Sequence, residues 1–163
     1  CFVVSGGRLT SGQLVKRGIL VLATGLNMTF MRNIALQVDE QPINSADLFA
    51  YRGMMYADVP NLAQVFGYTN SSWTLKADLT AEYVCRLLNH MKRHGHRFAV
   101  PRIGEGGVEE EPMMDFTSGY VQRAIGQFPR QGKHVPWRVY QNYVLDFLML
   151  RFRPLRDKIL QFR

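Results

Sequence analysis

Three imidazoles crowd one short stretch of this sequence, at His90, His94 and His96. Residues four apart share a helix face, so two of these rings could meet a metal together. The same stretch holds Lys92 and Arg93, stops at Gly95 and contains no Cys or carboxylate. It therefore reads as a helix end that gathers cations near its negative pole. Cys85 offers a thiol, but it sits among Val84, Leu87 and Leu88, where a small buried thiol is the expected role. Glu109-Glu110-Glu111 could act as paired acids. Three adjacent carboxylates behind Gly106-Gly107 have the composition of a solvated loop instead. Ser71 and Ser72 lack the G-x-S-x-G frame of a nucleophile elbow. These residues yield no assigned catalytic acid, base, nucleophile or metal ligand.

Two backbone features suit a large anionic or electron-rich ligand. Ala23-Thr24-Gly25 is a small-residue turn that lets another group approach the main chain. Asn70-Ser71-Ser72 supplies candidate N-caps for a helix opening at Trp73-Thr74. Such a helix start presents unpaired amide N–H groups to an anion or a ring oxygen.

The elements that must position these features read as follows. Residues 1–25 look like β structure, with apolar or β-branched runs at 1–4 and 19–23 and turn chemistry at Gly6-Gly7 and Ser11-Gly12 between them. The run at 19–23 does not alternate, the pattern of a strand covered on both faces in a parallel sheet. Residues 26–50 give a weak signal apart from a turn at 37–42, and 59–67 reads as a short strand entered through Pro60 and closed by Gly67. Leu79, Val84, Leu87, Leu88 and Met91 carry the clearest period and predict a helix over about 73–93, stopped by Gly95. An exposed loop is predicted at 104–112 and a shorter helix at 118–127, with Pro129 beyond it. A third helix is predicted from about 137, with Tyr140, Tyr143, Val144 and Phe147 on one face. The fold class expected from this order is α/β.

The 163 residues are 47% hydrophobic and 20% charged, the composition of one folded unit. The sequence opens at Cys1 on an apolar run and is expected to be part of a longer chain. Two cysteines are too few for a disulfide framework, and no leader is recognisable, so a reducing, cytoplasmic setting is expected. No apolar run approaches the roughly 18 residues of a membrane helix. The net charge of +7 is concentrated late, at Arg151, Arg153, Arg156, Lys158 and Arg163, and suits nucleic acid, an anionic membrane or a phosphorylated cofactor. Arg123, Arg130, Lys133, Trp137, Arg138, Tyr140 and Tyr143 interleave cations with rings. This supports an alternative reading as a basic, aromatic-rich nucleic-acid-binding module, whereas the helical spacing of Tyr140, Tyr143 and Phe147 suggests core. A third reading has the basic tail, with Phe152, Leu155, Ile159 and Phe162, touch a membrane surface or a partner subunit.

Several separate blocks occur in one order: Ile19-Leu20-Val21-Leu22-Ala23-Thr24-Gly25-Leu26-Asn27, Tyr51-Arg52-Gly53-Met54-Met55, Val59-Pro60-Asn61-Leu62 and Gly67-Tyr68-Thr69-Asn70-Ser71-Ser72-Trp73. Phe116-Thr117-Ser118-Gly119, Pro129-Arg130-Gln131-Gly132, Pro136-Trp137-Arg138 and Gln141-Asn142-Tyr143 follow. Together they resemble FAD-containing monooxygenases of the Baeyer-Villiger type, in particular the ethionamide-activating, ketone-oxidising branch. The resemblance implies the carboxy-terminal part of a Rossmann-like flavoprotein with two dinucleotide-binding domains. Residues 1–25 would end the NADPH domain and its linker strands, and 26–163 would belong to the FAD-binding domain. It implies FAD and NADPH as cofactors, with molecular oxygen and a small ketone or sulfur-containing substrate as partners and a flavin peroxide as the oxygen donor. Nucleic acid is then not an expected partner. Thr24 and Gly25 would line the cofactor crossing, and Asn70, Ser72, Trp73 and Thr74 would sit beside the flavin. The chain departs from the family where Arg17-Gly18 replaces an acidic residue and where Phe30-Met31-Arg32-Asn33 replaces a Gly-rich turn. It contains no G-x-G-x-x-G nucleotide fingerprint, so by itself it is expected to be inactive.

Overall fold

The computed structural model describes residues 2–3, 6–17, 19, 21, 28–31, 34–113 and 118–163. Strands β1 (Phe2–Val3), β2 (Gly6–Arg8) and β3 (Leu14–Lys16) form an antiparallel sheet. β4 (Leu36–Val38) and β5 (Gln41–Ile43) pair across Asp39 and Glu40, both at positive φ (50° and 65°). That is the two-residue turn whose twist suits a hairpin, and it falls inside the turn expected at 37–42. A second tight hairpin joins β6 (Ala50–Tyr51) to β7 (Met55–Tyr56). Helix α1 (Trp73–His94) follows, then β8 (Ala99–Pro101), β9 (Glu110–Pro112) and helix α2 (Gly119–Ala124). The chain finishes with β10 (Arg130–Gly132), helix α3 (Tyr143–Phe152) and β11 (Leu160–Phe162). β9 pairs with β10 and β8 with β11, both antiparallel.

The molecule is α/β, with small sheets and three α-helices among the described residues. Every named strand pair among them is antiparallel, and the parallel direction occurs only as the bridge between Phe49 and Arg130. The covered parallel strand expected at 19–23 is not seen: Ile19 and Val21 lie outside any strand and are 83% and 82% exposed. The rest of that stretch is outside the described residues. An apolar run signals a need for cover, not the direction of a neighbouring strand. The strand expected at 59–67 is also replaced, by a turn. Asn61 adopts φ 56° and exchanges hydrogen bonds with β8, its N–H donating to the Ala99 carbonyl (3.0 Å) and its side-chain oxygen accepting from the Ala99 N–H (3.0 Å). The apolar residues of the segment serve packing instead, with Val59 and Phe66 buried.

α1 matches its predicted span closely and ends at Gly95, whose φ of 70° is the left-handed geometry that glycine tolerates best. Its buried face is Lys76, Leu79, Thr80, Tyr83, Leu87 and Met91. Leu88 and Cys85 are exposed, which corrects the expected buried thiol. The apolar neighbours of Cys85 belong to a stripe displaced by about one residue. α3 begins six positions later than predicted, where the Asn142 side chain accepts from the Leu145 N–H (3.1 Å) as an N-cap. Its inward residues are Asp146 and Leu150, whereas Tyr143 and Val144, expected on the packed face, are 38% and 62% exposed.

Lys76 explains this rotation. Its ammonium lies 2.7 Å from Asp146 Oδ2, both side chains are only 2% exposed, and the Tyr68 hydroxyl donates to the same oxygen at 2.8 Å. Burial pulls the Lys76 pKa below the ordinary lysine value while Asp146 opposes the shift. Burial also raises the Tyr68 phenol, helped by its bond to Asp146. The pair joins α1 to α3. A second latch follows α3, where Asp157 accepts from Arg52 (3.0 Å), from the Tyr51 hydroxyl (2.6 Å) and from the backbone N–H groups of Ile159 (2.9 Å) and Leu160 (2.7 Å). Arg86 donates to the carbonyls of Leu150 and Arg151, satisfying the last turn of α3. Around these contacts one core cluster gathers Tyr51, Met54, Leu79, Tyr83, Leu87, Leu150 and Leu160. A second gathers Tyr56, Phe66, Val121, Ala124, Phe128 and Val139.

Two measurements test this framework. Removing one member of the buried pair, by Lys76→Met or Asp146→Asn, is expected to cost about 3–5 kcal/mol in chemical unfolding, and Lys76→Met combined with Asp146→Leu to recover much of it. For Asp157, burial raises the pKa, but the Tyr51 hydroxyl, the two backbone N–H groups and Arg52 outweigh it and the net shift is downward. Its stabilisation is therefore fully present above the unfolded carboxyl value of about 3.9 and is lost as pH falls through the lower folded value. Stability measured against pH should show a shallower acid limb in Asp157→Asn than in the parent.

Candidate functional site

The loop before α1 is built around Gly67. A Cβ placed there would fall 2.2 Å from the Trp73 ring, so the indole lies directly against backbone that only glycine permits. Trp73 also tilts against Phe66 (ring centroids 6.0 Å apart) and remains 57% exposed. Gln141 fixes the rest of the loop. Its side-chain oxygen accepts from the N–H (2.9 Å) and the hydroxyl (3.0 Å) of Thr69, and its carbonyl accepts from the Asn70 amide (3.1 Å). Ser72 and Thr74 hydrogen-bond each other through their hydroxyls at 2.7 Å. Ser72 occupies the N-cap position, but its side chain makes no capping bond and the first turn contains no acidic residue. The positive pole of α1 is thus left without a side-chain cap.

This helix start opens on a cleft of about 450 Å³. Its walls include Phe30, Met31, Phe66, Trp73, Tyr120 and Phe128, with Gln64 and Thr69 among the polar groups. Gln64 is held by the Tyr56 hydroxyl, which donates to its side-chain oxygen at 2.7 Å. Phe30 stands edge-on to Tyr56 and Phe128, with centroids 5.7 Å apart in both pairs. The result is a largely apolar slot with an aromatic ring, a few oriented polar groups and an open helix pole at its edge, the general character of an organic-ligand site.

Asn70, Ser72, Trp73 and Thr74, singled out from the sequence, are brought together here, and Trp73 alone of the four lines the cleft. Thr24 and Gly25 lie outside the described residues. The walls contributed by Phe30, Met31, Gln64, Thr69, Tyr120 and Phe128 were not predicted as site residues. Phe30 and Met31 stood out in the sequence only as a departure from the family turn, and Thr69 only as a member of the Gly67–Trp73 block.

The other candidate groups find structural partners. The His90, His94 and His96 rings lie 4.2–5.9 Å apart between centroids, and those of His90 and His96 pack against Phe162. The His94 ring bonds the His90 carbonyl at 2.8 Å. Burial, followed by the neighbouring cations, lowers the His90 pKa. Among the described residues no group of three or more His, Cys, Asp or Glu is arranged to hold a metal. The three glutamates are not simply solvated. Glu109, Glu110 and Glu111 pair with Lys133 (3.0 Å), Arg130 (2.7 Å) and Arg138 (3.0 Å), and Glu110 and Glu111 lie in β9. Three cations of the basic, aromatic array, Arg130, Lys133 and Arg138, are engaged in these pairs, and Trp137 is buried edge-on to Tyr51.

Comparison with known proteins gives this geometry a context. No family model matches the chain, and no solved structure gives a significant match. Among curated proteins, the FAD-containing monooxygenase EthA of Mycobacterium tuberculosis is 43% identical over 161 residues, covering 99% of this chain. The chain is a homologue of the FAD-containing monooxygenases. The probable FAD-binding monooxygenase AlmA of Acinetobacter baylyi is 40% identical and the putative FAD-containing monooxygenase MymA of Mycobacterium tuberculosis 39%, each over 162 residues. The chain spans about a third of the length of these relatives, 33% for EthA and MymA and 32% for AlmA. No helix among its described residues is long and apolar enough to cross a membrane.

The seat of the indole can be tested directly. Gly67→Ala should push the Trp73 ring outward, giving a red-shifted emission and greater iodide quenching. The chain's other tryptophan, Trp137, is only 7% exposed and contributes little to the quenchable fraction.

Proposed function

We propose that this chain is the carboxy-terminal part of a flavin-dependent monooxygenase that uses NADPH and oxygen to insert oxygen beside a ketone or to oxidise sulfur. The observation that carries the reading is the side-chain-uncapped start of α1 beside Trp73 at the mouth of an apolar cleft. These residues fit an isoalloxazine ring, which is flat, largely apolar and edged by electron-rich oxygens. FAD, when bound, supplies the electron transfer and the activation of oxygen.

The chain's own groups hold and shield. Trp73 offers an aromatic face, and Thr69 is kept in place by Gln141. Phe30, Met31 and Phe66 exclude water from the cleft they line. The helix pole favours negative charge on the ring by roughly 0.3–1 kcal/mol, an assisting rather than a decisive contribution. Asn70, Ser72 and Thr74 set the shape of the loop and the first turn. In this proposal Thr24 and Gly25 line the crossing from the NADPH domain that ends at 1–25, and 26–163 belong to the FAD-binding domain of a Rossmann-like cytoplasmic enzyme. With no nucleotide fingerprint of its own, the chain alone neither retains FAD tightly nor turns over.

The test is flavin absorbance after incubation with FAD and desalting, made on the chain and on the full-length protein that contains it. Flavin retained in the longer protein and lost from the shorter is the expected outcome; no flavin in either overturns the proposal. In the full-length enzyme, Trp73→Phe should lower flavin retention or uncouple NADPH consumption from product. Unchanged spectrum, retention and coupling would remove Trp73 from the site.

A further inference from the structure

Helix α3 carries apolar side chains on both faces, with Leu150 and Phe147 turned to the core. Its inward face contains the charged Asp146, and its outward face presents Val144, Leu145, Leu148 and Phe152, exposed by 62%, 43%, 50% and 68%. A helix on a protein surface ordinarily points its apolar stripe at the core and its charges at water. Here the buried pair with Lys76 fixes Asp146 inside beside Leu150, and a second set of apolar residues faces out. The face is held firmly, since Arg86 engages the last carbonyls of α3 and Arg52 donates to the Pro154 carbonyl just beyond (3.2 Å).

Cations follow the stripe directly in the chain. Arg151 is bonded to Glu82 (2.7 Å), while Arg153, Arg156 and Lys158 are exposed and form no ion pair among the described residues. From this juxtaposition we propose that the outward face of α3 docks the protein on an anionic membrane surface. Val144, Leu145, Leu148 and Phe152 enter the boundary between headgroups and acyl chains, and the unpaired cations meet lipid phosphates. The docking element is the helix and not the apolar residues of the tail, because Leu155, Ile159 and Phe162 pack against the core.

A second copy of the chain is a poorer occupant. Four side chains make a patch of only a few hundred Å², well below the roughly 800 Å² per partner of a stable interface. Self-association would also set unpaired cations against their own kind, whereas anionic lipid answers the apolar stripe and the charge together. The inference does not depend on the flavin reading.

The experiment is co-sedimentation of the full-length protein with vesicles of phosphatidylcholine, with and without phosphatidylglycerol, at low and high salt. Binding only to the anionic vesicles, weakened by salt, is expected. Leu148→Ser with Phe152→Ser should abolish it, and Arg153→Gln or Arg156→Gln should each weaken partitioning about fivefold. All four positions are exposed, so folding should survive, and an unchanged melting temperature checks it. No sedimentation with either vesicle overturns the proposal, as does equal binding to neutral vesicles. If the parent leaves vesicles unbound while the serine variant changes a dimer to a monomer in light scattering, a second copy covers the face. If the parent leaves them unbound and the variant instead loses thermal stability, the remainder of the protein covers it.

Discussion

A single ion pair between two helices orients much of this molecule. Lys76 and Asp146 are almost wholly removed from water and share their contact with the Tyr68 hydroxyl. An isolated charge in such a place would be neutralised or expelled. Together the three groups satisfy one another and so fix the rotation of α1 against α3. Tyr68 belongs to the same loop as Gly67 and Thr69, which carries the constraint directly to the cleft. Lys76 lies one turn inside the helix whose first residue is Trp73, so the indole and its glycine seat are anchored from below as well as from the Gln141 side. The pair is also set against Gly53, where an added Cβ would lie 3.4 Å from the ammonium, so the β6–β7 hairpin belongs to the same unit.

The second latch has a different character. Asp157 is partly open to solvent, and it collects donors from the hairpin and from the start of β11, beyond α3. Residues 106 positions apart thereby meet at Tyr51 and Asp157. The cleft lies on the other side of the hairpin, where Tyr56 supports Phe30 and Gln64. Structural cations and carboxylates thus occupy one side of the hairpin, and the apolar cleft occupies the other.

Legibility from sequence followed the physics of each element. α1 was readable because its apolar stripe is long and Gly95 stops it. Cys85 was misplaced because Val84 and Leu88 suggest a stripe slightly off the true one, whose members include the polar Lys76 and Thr80. The face of α3 was read only in part from hydropathy: Phe147 does pack on the core, but Tyr143 and Val144 do not, since the inward face includes an acid whose partner stands 70 positions away. The segment at 59–67 has the composition of a strand, yet its ladder bonds are replaced by the side chain and turn of Asn61. At the site, resemblance pointed to the loop from Asn70 to Thr74, a contiguous segment. The opposite walls come from Phe30, Gln64, Tyr120 and Phe128, which only the fold assembles.

The 70-residue separation of Lys76 and Asp146 also bears on the order of synthesis. A chain made from its amino end produces all of α1 before Asp146 exists, so the inward face of that helix must wait in water with its hydrophobic neighbours uncovered. During that interval the Lys76 ammonium is hydrated and charged in the middle of the face, where it opposes premature association of nascent chains. A charged residue that later sits buried in the fold therefore first serves as a solubilising group, and the arrival of α3 converts it from guard to anchor.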